Sequence, residues 1–153
     1  MTIRFYRASD FGDLKLLIIA LQEYERTFDA ARITPDNAFA EWYAGKLLDV
    51  ITEQKGVILV AEQDGKAVGY AAGFPDEEWE YRDVYFYIAE LSVLPDHRGR
   101  GIGTSLMKAM EDYARKEGYA RTGIGVISPS ARVHAFYQRL GYADHVVKLR
   151  KTI

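Results

Sequence analysis

The chain has 153 residues, 48% hydrophobic and 27% charged, enough for one substantial core over residues 1–153 and unlike a collagenous, low-complexity or disordered chain. Twenty Lys and Arg against 22 Asp and Glu leave a net charge of -2, so no global positive excess exists to hold nucleic acid. The absence of cysteine removes disulfides, thiolate metal sites and a cysteine nucleophile. The longest apolar run, Leu16 to Leu21, is far short of the roughly 20 residues of a membrane span, so a soluble cytoplasmic protein is expected.

Residues 2–7 alternate, with Ile3 and Phe5 on one face and Arg4 and Tyr6 on the other, as in a half-buried strand. Ser9 or Asp10 caps a helix whose Leu14, Leu17, Ile18 and Leu21 recur at helical spacing to about Tyr24. Pro35 opens a second helix, carrying Phe39, Trp42, Tyr43, Leu47 and Val50, which ends at Gly56. Val57 to Glu62 and Ala67 to Phe74 flank an Asp64-Gly65 turn and predict a β-hairpin. The acidic, aromatic stretch from Pro75 to Asp83 reads as a loop, followed by a long strand from Val84 to Leu94. A glycine-containing loop then leads into a helix with Leu106, Met107, Met110, Tyr113 and Ala114 on one face, ended by Gly118. Thr122 to Ile127 predicts a strand, Ser130 opens a helix ended by Gly141, and Tyr142 to Leu149 predicts a last strand. The order β-α-α-β-β-β-α-β-α-β specifies an α/β domain with helices on both faces of one mixed sheet.

A glycine loop that turns straight into a helix suits a phosphate, because free N–H groups converge there without side chains in the way. Counted from Gly99, the sixth position is Thr104 rather than the glycine of a dinucleotide fingerprint, and no Gly-Lys-Ser/Thr of a P-loop is present. What remains is Arg-x-x-Gly-x-Gly at Arg98, Gly101 and Gly103, which spacing alone allows to be a phosphate cradle or a tight strand-to-helix turn.

The segment from Leu91 to Gly103, with Phe136-Tyr137-Gln138-Arg139-Leu140-Gly141-Tyr142 downstream, resembles the GNAT family of N-acetyltransferases. The resemblance is specific from about Tyr87 to Tyr142. It implies the acyl-CoA N-acyltransferase fold, with a mostly antiparallel sheet, and acetyl-CoA as donor. By that resemblance Arg98, Gly99, Arg100, Gly101, Ile102, Gly103 and Thr104 wrap the pyrophosphate. The pantetheine lies between Tyr85 to Leu94 and Thr122 to Ile127, and the N–H of Val93, beside a bulge at Leu91 or Ser92, polarises the thioester. Ser130 stands where many members place an asparagine that bonds the pantetheine arm. Tyr137 becomes the proton donor to the departing thiolate; without the motif it reads first as a core aromatic beside Phe136 and Leu140.

Glu90 is a carboxylate among Ile88, Ala89, Leu91 and Val93 on a predicted central strand, either a base with a raised pKa or a buried group satisfied by its neighbours. Members with a glutamate on the following strand would have it at Gly125, so that base is absent. His97, His134 and His145 read as surface residues without metal-ligand spacing. The stretches containing Glu23, Tyr24, Glu25 and Phe28, and Glu77, Glu78, Trp79, Glu80 and Tyr81, mix carboxylates with rings. Such a wall attracts a cationic amine or is simply a solvated face. The expectation is acetyl transfer to a primary amine of a small cationic acceptor in a ternary complex. A non-catalytic acyl-CoA-binding module is the alternative, and a homodimer is compatible with the sequence.

Overall fold

The computed structural model describes residues 1–127 and 129–153. Asp64 and Gly65 both take positive φ, 53° and 77°, the signature of the tight hairpin turn their sequence demands. That turn joins β2 (Val57–Gln63) to β3 (Lys66–Glu78), and β1 (Thr2–Phe5) pairs with the far edge of β2. β4 (Asp83–Val93) runs antiparallel to β3, and β5 (Thr122–Ile124) runs parallel to β4. The sheet order is therefore β1-β2-β3-β4-β5.

Helices cover both faces. α1 (Phe11–Arg26) and α2 (Asn37–Glu53) share a core with Ile58, Val60, Tyr70 and Ala72. α3 (Ile102–Lys116) and α4 (Ala131–Arg139) pack on Val57, Leu59, Val68, Phe86 and Ile88. α2 starts two residues after Pro35 because Asp36 is its cap, accepting from the Phe39 N–H at 2.7 Å. Asp10 does not cap α1; its carboxylate bonds the Arg4 guanidinium at 2.7 and 2.8 Å and accepts from the Arg7 N–H. No helix among the described residues is long and apolar enough to cross a membrane.

Four expectations are corrected. The acidic stretch after Phe74 is mostly strand: Pro75 to Glu78 pair with Phe86 to Asp83, leaving a turn over 79–82. Proline is tolerated because β2 pairs no further than Gly73 on the other side of β3, so this part of β3 is an edge. The bulge lies two or three residues earlier than expected. Ala72 faces Glu90 and Gly73 faces Ile88, so Ala89 is the extra residue. The last predicted strand does not form, and β5 ends at Ile124 rather than Ile127. Asp144 and His145 break the alternation of the tail, and its charged groups find partners elsewhere, His134 on Asp144 at 2.8 Å and Arg150 on Asp29 at 3.3 Å.

Candidate active site

β4 and β5 are paired only at Phe86, Tyr87 and Ile88. Beyond Ile88, β4 continues along β3 to Val93 while β5 stops, so the two strands part and leave one side of β4 unpaired. The Phe86 N–H bonds the Arg121 carbonyl on the β5 side, and the Leu94 N–H bonds Val68 on the β3 side. Strand alternation, shifted once by the Ala89 bulge, therefore turns the backbone of Leu91 and Val93 into the opening. The Val93 carbonyl already accepts from Arg98 Nε at 2.9 Å. Two donors of the expected site thus sit where β4 lacks a neighbour.

The glycine loop closes one end of this opening. Gly99 and Gly101 have φ of 74° and 79°, a region that side chains rarely enter. Gly101 is the N-cap of α3 and carries no side-chain cap; the first ladder bond runs from Ser105 N–H to the Gly101 carbonyl at 3.0 Å. The N–H groups of Ile102, Gly103 and Thr104 precede that ladder and have no intrahelical acceptor. A Cβ on Gly103 would point at Phe136 Cζ, 3.5 Å away, and at Leu91 Cδ2, 3.8 Å away. The side of Gly103 that would carry a side chain therefore faces the gap between β4 and α4. Arg100 and Thr104 are exposed. Arg98 departs from expectation: its guanidinium turns back onto the Val93 and Ala20 carbonyls and stacks 5.3 Å from the Tyr24 ring centre. Its side chain braces β4 against α1.

α4 forms the other wall. Ser130 is buried; its hydroxyl accepts from the Val133 N–H as N-cap and lies 3.3 Å from the Tyr24 hydroxyl. The start of α4 is thereby fixed to the end of α1 across the opening. Tyr137 is buried in the α3–α4 core with its ring edge-on to Phe136 and Tyr142. Burial, and then Tyr142 and Glu25, hold its phenol above the usual value, so it carries its proton throughout the neutral range.

The carboxylates sit on the other face of the sheet. Glu90 projects into the α1–α2 layer and accepts hydrogen bonds from the Tyr43 and Tyr70 hydroxyls. Burial raises its pKa, and the two phenols pull it back down. Glu25, at the end of α1, pairs with Arg32, which also bonds Gln22 at 2.9 Å and lies 3.9 Å from Asp29. Burial raises the Glu25 pKa, Arg32 opposes that rise, and Glu90 adds to it. Tyr43, Tyr70 and Arg32 carry no chemical signal in the sequence, because at their positions they read as an apolar helix face, a strand residue and a loop cation. The expected acceptor-wall residues divide: Glu25 belongs to this cluster, whereas Trp79 and Tyr81 are exposed on the β3–β4 turn.

The absence of a glutamate at Gly125 has a physical counterpart. A Cβ there would come within 2.9 Å of the Tyr87 hydroxyl. A side chain at 125 would have to displace that ring. Of the histidines, His134 and His145 are surface residues, 2.8 Å from Asp144 and 3.6 Å from Glu78. His97 is half-buried, with Nδ1 shielded from solvent, because it closes the short turn of residues 95–97.

Residues 18–142 match the sequence model of the acetyltransferase (GNAT) family. The chain is 26% identical to mouse (Mus musculus) thialysine N-epsilon-acetyltransferase, over 93% of this chain and 84% of that protein. It is 30% identical to an L-methionine sulfoximine/L-methionine sulfone acetyltransferase of Salmonella typhimurium, over 93% and 80% of the two chains. Its fold superposes on that of a putative acetyl transferase from Pyrococcus furiosus with a TM-score of 0.79 at 20% identity, covering 99% of each chain.

Proposed function

The chain belongs to the acetyltransferase (GNAT) family, and from that premise we propose that this acetyl-CoA-dependent N-acetyltransferase acts on the primary ammonium of a small cationic molecule, by direct attack in a ternary complex. The observation that carries the reading is the placement of the Glu25–Glu90 carboxylate pair in the layer that meets the β4–β5 opening, with Arg32 as the cation on Glu25. Two half-buried carboxylates with one such cation favour an acceptor that brings positive charge. The relative that acts on thialysine offers an acceptor of this kind, a lysine-like side chain with a free amine.

In this reading the N–H groups of Ile102, Gly103 and Thr104, with the turn at Gly99 to Gly101, hold the pyrophosphate of the donor. Arg100 adds charge from the exposed rim. Leu91 and Val93 line the arm with their backbone, and the Val93 N–H stabilises the oxyanion as it develops. Arg98 acts through Val93 and Tyr24, by fixing the strand end and the α1 terminus, and Ser130 anchors α4 so that Tyr137 faces the sulfur. Tyr137 gives its proton to the departing thiolate, and Glu90 takes the proton that the ammonium must lose before nitrogen can attack. With no cysteine in the chain, a thioester-linked enzyme intermediate is ruled out, and attack within the ternary complex fits that composition.

Free-thiol release from acetyl-CoA, measured with lysine, thialysine, polyamines, aminoglycosides and neutral amines, tests the proposal. Rates that rise with acceptor charge, and double-reciprocal lines that intersect, are expected. Acetyl-CoA binding without thiol release for any amine would leave a binding module instead, and a preference for neutral acceptors would remove the role given to the carboxylates.

A further inference from the structure

Both oxygens of Glu90 receive phenol hydrogen bonds, one from Tyr43 of α2 and one from Tyr70 of β3. Tyr70 is fully buried in the α1–α2 core and offers no path to an acceptor. Tyr43 and Glu90 are both half-buried, and with each Glu90 oxygen already engaged by a phenol, Tyr43 is the partly exposed member of this Tyr70–Glu90–Tyr43 chain whose hydroxyl oxygen keeps a lone pair for a further donor. Its ring is held by Phe39 and Trp42, with centroids 5.6 and 6.4 Å away, which leaves the hydroxyl aimed along one line at the carboxylate.

We propose that Tyr43 is the proton relay of this site, its hydroxyl oxygen accepting the proton of the acceptor ammonium while its own proton passes to Glu90. This rests on Glu90 being the base. In the step the ammonium N–H bond breaks and an O–H bond forms on Tyr43; the original Tyr43 O–H bond breaks and one forms on Glu90. Tyr43 is neutral before and after, the nitrogen keeps its electron pair for attack, and Glu90 becomes a carboxylic acid. The two transfers are concerted, because burial and the Glu90 charge hold the Tyr43 phenol far from ionising at neutral pH. The groups facing the pair are Glu25 and Arg32 from the α1 side, Tyr70 from β3, Tyr87 from β4 and, through Glu25, Tyr137 from α4. Arg32 opposes the rise in Tyr43, and Glu90 and Glu25 add to it.

The test is a cycle of Tyr43→Phe, Glu90→Gln and the double variant, with kcat/KM measured from pH 6 to 10 alongside thermal midpoint and acetyl-CoA affinity. Each single variant should lose about 10- to 100-fold at neutral pH, with the deficit closing as the acceptor, of pKa near 10 if lysine-like, loses its proton unaided. The double variant should lose no more than either single one, since one path is cut twice. Tyr70→Phe removes a bond that lowers the Glu90 pKa and should move the acid limb to higher pH. If Glu90→Gln shows the pH-dependent loss while Tyr43→Phe matches the wild type, the relay is wrong and Glu90 remains the base. If neither shows it, the base assignment itself falls. A Tyr43→Phe loss that is constant with pH, or confined to KM, would reduce Tyr43 to a positioning residue. Should Tyr43→Phe fold poorly, the proton inventory of acetyl transfer by the wild type decides: two protons in flight give a bowed dependence on deuterium fraction, and a straight line overturns the relay.

Discussion

Adding one methyl group at Gly103 separates the needs of the fold from those of the donor. Gly103 lies in the first turn of α3, and an alanine Cβ there would meet Phe136 Cζ at 3.5 Å and Leu91 Cδ2 at 3.8 Å, ordinary van der Waals distances. No protein atom has to move, and replacing a helical glycine with alanine restricts the unfolded chain, worth about 0.5 kcal/mol in stability. For a protein of this size that corresponds to a rise of about 1–2 °C in thermal midpoint. The same methyl projects between β4 and α4, where the donor is proposed to pass. Displacing a pyrophosphate oxygen from one N–H forfeits a charge-assisted hydrogen bond of about 1.5–3 kcal/mol, so acetyl-CoA affinity should fall at least about tenfold. Calorimetric titration with acetyl-CoA and thermal melting of Gly103→Ala measure both. An unchanged affinity in a variant at least as stable as the wild type would refute the placement of the pyrophosphate on this loop.

Tyr137→Phe should leave acetyl-CoA affinity intact and lower kcat by about 10²- to 10⁴-fold; unaffected turnover with a good acceptor would make Tyr137 a packing residue. Gly101→Val forces a β-branched residue to φ of 79° and should cost stability, about 1–3 kcal/mol, as well as donor affinity, the first read by denaturant titration and the second by calorimetry. Asp10→Asn strips Arg4 of its better-buried partner and should destabilise by about 3 kcal/mol at neutral pH. The Arg4 hydrogen bond holds the Asp10 pKa below the usual carboxylate value, so its stabilisation is complete above about pH 4 and is lost as pH falls through the depressed value. The gap between wild type and variant in denaturant titrations should narrow as pH falls below about 4, and a gap of constant size would be the refuting result.

The elements legible from the sequence are those whose information is local. Asp64-Gly65 dictates its own turn, and Leu106, Met107 and Met110 recur on one helix face whatever lies opposite. The loop from Arg98 to Thr104 likewise announces a glycine turn before a helix. What depends on partners far along the chain was hidden. Acidity suggested a loop at residues 75–78, yet that segment is strand because residues 83–86 supply the ladder. Arg98 read as part of the pyrophosphate loop, and nothing local reveals that the Ala20 and Val93 carbonyls would be within reach of its side chain. Glu90 was conspicuous as a charge in an apolar run, but the hydroxyls that satisfy it come from positions 47 and 20 residues away and carry no pattern. The missing last strand is the reverse case, a segment with locally strand-like residues whose prospective partner, β5, is only three residues long.

The extra residue at Ala89 gives β4 two halves of opposite sense. Before it, even-numbered side chains such as Phe86 and Ile88 pack with α3; after it, odd-numbered Leu91 and Val93 do, and Glu90 and Ser92 turn to the other layer. In the proposed reading, donor recognition and acceptor chemistry are distributed to separate layers about one strand. On that reading a change of acceptor is expected to need substitutions in α1, α2 and the loop between them, with the apolar residues under α3 untouched. Deleting Ala89, by contrast, would leave Glu90 opposite Ala72 and Ile88 opposite Gly73, so both faces of β4 would keep their residues and the strand would lose only its local kink.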